Sequence, residues 1–137
     1  MTEEISKEMY EKCLTDDKKE YWSQITDSEY AFEYCKNIKD RLSVAKNITD
    51  SRYAYRYCLK IKNRLDVRKN ITDSEWILEY CIFIRDLKTM RAKITEPLYA
   101  RQYCTFVKDD PEVRKYINAD PQEFKLYCKD KQETCCC

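Results

Sequence analysis

Ile25-Thr26-Asp27-Ser28-Glu29-Tyr30-Ala31-Phe32-Glu33-Tyr34-Cys35 recurs at Ile48 to Cys58, Ile71 to Cys81 and Ile94 to Cys104, each time 23 residues further on. A fixed period of this size is the mark of a tandem repeat, in which one unit is too small to bury its own apolar face and must lean on its neighbours. Within each unit Ala31, Tyr34, Cys35 and Ile38, or 54/57/58/61, 77/80/81/84 and 100/103/104/107, fall at i, i+3, i+4 and i+7. That spacing predicts an amphipathic helix of about 12 residues rather than a strand. Its start is marked by Asp27, Asp50 and Asp73 before a serine, and by Glu96-Pro97 and Asp120-Pro121, an acidic cap before proline at the first helical position.

The rest of each unit holds a second apolar set: Leu42, Val44 and Ile48, then 65/67/71, 87/90/94, and 113 with 117. Asp110-Pro111 again reads as a cap and helix start, so the spacing predicts a second helix of about six residues. Asp40, Asn63, Asp86 and Asp109 fall between the helices, where Asn and Asp best tolerate a tight turn in a chain without glycine. The expectation is an all-α fold: one α-solenoid domain of stacked long-plus-short helical hairpins, hand undetermined. Residues 1–24 would form an N-terminal cap, 25–47, 48–70, 71–93 and 94–116 the repeats, 117–131 a C-terminal cap and 132–137 a tail. Trp22 and Phe124 are expected to close the two ends of the core.

Composition narrows function by exclusion. The chain of 137 residues contains no glycine and no histidine. Without glycine there is no phosphate cradle of the P-loop or Rossmann kind. Without histidine, Cys-His and Ser-His pairs and His-ligated zinc are absent. With 26 Lys plus Arg against 25 Asp plus Glu, no global field draws the domain to nucleic acid. Apolar runs far shorter than a membrane span and the acidic start Met1-Thr2-Glu3-Glu4 lead to the expectation of a soluble, unexported, cytoplasmic protein. No enzymatic activity and no cofactor are expected.

Tyr30-Ala31-Phe32-Glu33-Tyr34-Cys35, Tyr53-Ala54-Tyr55-Arg56-Tyr57-Cys58 and Tyr99-Ala100-Arg101-Gln102-Tyr103-Cys104 carry a resemblance over residues 25–128. They are similar to the short tandem helical repeats of phage and giant-virus proteins. The third unit departs from the pattern with Trp76-Ile77-Leu78, and the Gly-Arg-Trp-Pro turn common in that family is missing. The resemblance implies an α-solenoid and transfers no catalytic residue.

Three groups of residues are candidates for function. Phe32, Tyr55, Leu78 and Arg101 occupy a position that varies inside a constant framework, so they either form a recognition face for a protein partner or bury against the next unit. Arg68, Arg91 and Arg114, with Lys46, Lys69 and Lys115 beside them, would align into a basic stripe. Cations in a last helical turn also complement the helix dipole, and that reading is preferred, so no nucleic acid is expected. Cys35, Cys58, Cys81, Cys104 and Cys128 recur in the apolar stripe and are read as packing residues. Cys135, Cys136 and Cys137 fall outside the period and are candidates for modification, metal binding or lipid attachment. The leading function is a protein-interaction module. The alternative is a carrier presenting the Cys-Cys-Cys tail, with membrane contact only if that tail is lipidated.

Overall fold

A computed structural model describes residues 2–131, and the tail cysteines 135–137 lie outside the described residues. Every regular element among the described residues is helical. The chain divides between Ile71 and Thr72 into two compact units. The first holds α1 (Thr2–Thr15), α2 (Lys19–Trp22), α3 (Ser28–Asn37), α4 (Leu42–Ala45), α5 (Ser51–Lys60) and α6 (Leu65–Arg68). The second holds α7 (Ser74–Phe83), α8 (Lys88–Arg91), α9 (Pro97–Phe106), α10 (Pro111–Asn118) and α11 (Pro121–Lys131). Long and short helices alternate as expected. The long ones from α3 to α9 have 10 residues, and the short ones from α4 to α8 have only 4. The N-terminal stretch, which fits the period poorly as sequence, also forms a long helix followed by a four-residue one.

The helices start at the expected positions, although Glu96, expected to cap α9, makes no side-chain cap hydrogen bond. Asp27 and Asp50 accept from the backbone N–H groups of Glu29 and Arg52, Asp110 from Glu112, and Asp120 from both Gln122 and Glu123. Pro97 and Pro111 occupy the first helical turn. The ends work differently from the turn expectation. The cap residues Ile38, Ile61, Ile84 and Val107 stay right-handed, with φ of −113°, −115°, −110° and −104°. The carbonyl of Tyr34 takes the N–H of both Ile38 and Lys39, and Tyr57, Tyr80 and Tyr103 repeat this double acceptance. A widened last turn therefore ends each helix, and the cap itself needs no left-handed residue.

In the first unit the core comprises Ile25, Ala31, Tyr34, Val44, Ala45, Ile48, Ala54, Tyr57, Val67 and Ile71, all fully buried. The second unit buries Ile77, Tyr80, Met90, Ile94, Ala100, Tyr103, Val113 and Ile117 in the same way. Two expected core leucines are surface residues instead: Leu42 is 44% exposed and Leu65 63%. Each is the first residue of a four-residue helix, so it points away from the Val two positions later that faces the core. Ala45 takes the inward place in α4. Phe124 is likewise 38% exposed and does not close a core end. Trp22 is half-buried, with the Arg41 guanidinium 5.0 Å from its ring centroid.

Serine in the Asp-Ser start has a second role within the first unit. The Ser28 hydroxyl accepts the N–H of Thr49 (3.0 Å) and of Asp50 (3.1 Å), one period later, and contacts the Asn47 carbonyl. Ser6 in α1 does the same for Thr26 and Asp27, at 3.0 Å each. The amides of Asn47 and Asn70 donate to the carbonyls of Ile25 and Ile48. These links join each hairpin to the next through backbone groups that would otherwise be stranded at a helix entry. Ser6 is fully buried. Ser6→Ala should therefore cost about 2–3 kcal/mol in urea unfolding, because two backbone donors lose their acceptor together. A loss below about 0.5 kcal/mol would show that water replaces the hydroxyl.

Candidate functional site

A recurring polar arrangement is built on the repeated tyrosine. Tyr34 is fully buried as a residue, yet its phenol donates to Asp17 at 2.6 Å and accepts from Nε of Arg41 at 2.6 Å. Arg41 also meets Asp17 directly at 3.2 Å. One period later Tyr57 donates to Asp40 at 2.6 Å, and Arg64 reaches Tyr57 at 3.0 Å and Asp40 at 3.2 Å. Each cluster takes its acid from the link before one short helix and its arginine from the residue before the next. Asp40, expected only to make a turn, thus carries the acceptor for a buried phenol, as Asp17 does one period earlier.

The second unit keeps the tyrosine–acid pair and changes its cation. Tyr103 donates to Asp86 at 2.8 Å, and Tyr127 to Asp109 at 2.7 Å. Where Arg41 and Arg64 stand, this unit has Leu87 and Asp110. Arg91 compensates by bridging Asp86 (3.3 Å) and Asp110 (3.1 Å). Burial and the neighbouring carboxylate push the phenols of Tyr34, Tyr57 and Tyr103 upward. Burial also pulls Asp17 upward, but hydrogen bonds from Tyr34 and Arg41 outweigh it and hold the carboxyl below its usual range.

This geometry relocates the candidates named from sequence. Phe32, Tyr55 and Leu78 are 3%, 6% and 5% exposed, so they belong to the core and cannot form a recognition face. Arg101 is tied down by Glu123 at 2.6 Å and Asp130 at 3.0 Å. The proposed basic stripe is largely engaged within the chain as well: Arg68 donates to Asn63 at 3.3 Å, Arg91 bridges its two acids, and Arg114 meets Asp109 at 2.9 Å. Lys46 and Lys69 remain exposed, and Lys115 pairs with Glu112 at 3.3 Å. The missed signal was the acid five residues before Arg91 and Arg114, in the link leading to the same short helix.

Cys13, Cys35, Cys58, Cys81 and Cys104 are buried thiols that pack in the core, whereas Cys128, also buried and expected only to pack, is disulfide-bonded. No cluster of three or more potential ligands forms among the described residues. Burial pushes the thiols of Cys13 and Cys58 up to about 11 and those of Cys35 and Cys81 to about 12.

Among the described residues the surface carries grooves lined largely by charged side chains. In the second unit a groove of about 350 Å³ between α8 and α10 is lined by Lys88, Arg91, Asp110, Val113, Lys115 and Tyr116, with its arginine already neutralised. In the first unit a groove of about 440 Å³ at the starts of α3 and α5 is lined mainly by Glu3, Asp27, Glu29, Asp50, Arg52 and Tyr53. No family model, curated protein or solved structure matches the chain.

Two solution measurements follow from these groups. Asp17 has a depressed folded-state pKa, so its contribution is present above the ordinary carboxylate value of 3.8 and lost as pH falls through the lower folded value. The stability gap between wild type and Asp17→Asn should shrink steadily on acidification below 3.8; a gap independent of pH would contradict the assignment. Raised thiol pKa values predict that Cys35, Cys58 and Cys81 stay unmodified by maleimide in native buffer and react on denaturation. Peptide mapping that found rapid native labelling at any of the three would refute this.

Proposed function

We propose that the chain is a non-catalytic binding module, an α-solenoid of 23-residue helical hairpins whose outer surface engages another protein inside the cell. The observation that carries this reading is the recurrence of the same links at the same register. Ser6 and Ser28 each tie down the start of the next hairpin, and Tyr34 and Tyr57 each reach back to the acid of the previous one. In such a stack these buried polar groups hold neighbours together, and recognition falls to exposed side chains outside that set. No helix is long and apolar enough to cross a membrane, among the described residues.

Stack and binding are tested separately. Deleting 48–70 joins Asn47 to Ile71 and preserves the period. A solenoid should then keep its helical signal per residue and melt cooperatively at a lower temperature, whereas a uniquely interlocked globule should unfold. Cross-linking in the native host, followed by mass spectrometry, should recover one protein in a fixed ratio to the chain. Recovery of the free chain alone would overturn the binding reading.

A further inference from the structure

The exposed leucines that packing leaves unused stand in a repeated setting. Lys39 precedes Leu42, the first residue of α4, and Lys46 follows one turn later; Lys62, Leu65 and Lys69 repeat this one period on, at α6. All six side chains are exposed. The backbone N–H groups of Lys46 and Lys69 bond to the carbonyls of Leu42 and Leu65, which stacks each lysine above its leucine on one helical side.

Polar contacts tie the links that flank the two rows to one another. Arg64, directly before Leu65, reaches Asp40 in the link before Leu42 at 3.2 Å, and Asn70 beyond α6 reaches the Ile48 carbonyl at 2.9 Å. Segments 39–46 and 62–69 together hold seven cations and two carboxylates. Of those two acids, Asp40 is taken by Tyr57 and Arg64. The four lysines have no carboxylate within 4.0 Å among the described residues.

We infer that the Lys39-Leu42-Lys46 and Lys62-Leu65-Lys69 rows form the docking face of the first unit, and that its occupant is an acidic protein segment with apolar side chains between its carboxylates. This rests on the binding-module reading and names its partner by charge and polarity. Lysine point charges around two leucines match carboxylates that flank an apolar contact. A nucleic acid fits less well. Single-stranded bases would stack on open aromatic rings, and here Phe32, Tyr34, Tyr55 and Tyr57 are buried, while Arg52 and Arg56 lie 4.8 and 5.4 Å from the Tyr53 ring centroid. A lipid surface would need a deeper apolar element than two leucines, each with a lysine one turn beyond it.

The test is a titration of the full chain, followed by NMR, with a synthetic peptide of four glutamates interleaved with two leucines. Saturable shifts should localise to Leu42, Lys46, Leu65 and Lys69. Binding should weaken about tenfold when salt rises from 50 to about 300 mM. Leu42→Ser with Leu65→Ser should weaken it about five- to tenfold, and Lys46→Glu with Lys69→Glu should abolish it. All four positions are exposed, and an unchanged spectrum elsewhere verifies folding. Absent or scattered shifts would overturn the proposal, as would tighter binding at these rows by a DNA duplex or by phosphatidylserine vesicles. A host protein captured equally by wild type and by these variants would overturn it too, while leaving the binding-module reading standing.

Discussion

The buried tyrosine is the constraint around which each unit is arranged. Tyr34, Tyr57 and Tyr103 lie in the middle of the long-helix stripe with no residual exposure, and a phenol taken that far from water must find a partner. The partner is an aspartate 17 residues earlier in the chain, reached at 2.6 to 2.8 Å. The aspartate itself keeps partial contact with solvent, and it is paired in turn with Arg41, Arg64 or Arg91. Register follows from this requirement, since sliding one hairpin by a single turn would strand a hydroxyl, an acid and an arginine together. Tyr127 reaches Asp109 across 18 residues, so one inserted residue is absorbed without losing the bond.

Much of this was legible in the sequence because helical burial has a period. The i, i+3, i+4, i+7 stripe located the buried Ala, Tyr and Cys positions, and acid-before-serine or acid-before-proline located the helix starts. What failed was inference from variability. Phe32, Tyr55 and Leu78 differ in identity yet share burial, since an apolar site accepts several side chains of similar bulk. Leu42 and Leu65 were misplaced because periodicity has little resolving power over four residues. The aspartates of the links were hidden for another reason: their partners lie one hairpin away, and no local pattern reports a contact across that distance.

The basic residues divide by chemistry. Arginines 41, 64, 91, 101 and 114 are held in ion pairs, several of them half-buried, where the planar fork can satisfy two acceptors at once. Lysines 36, 39, 46, 60, 62 and 69 are exposed and gather at the late part of each hairpin in the first unit. The acids concentrate at the opposite, early part, around Asp27, Glu29 and Asp50. A formal net charge of +1 therefore conceals a strong separation of sign within one unit.

The manner in which the helices stop has a bearing on the denatured chain. Ending at right-handed isoleucine or valine, with a tyrosine carbonyl doubly engaged, lets the protein turn at its caps without the residue type that wanders most freely when unfolded. A β-branched residue has fewer backbone states to surrender than glycine, so part of the native advantage originates in a stiffer random coil rather than in any contact visible after folding.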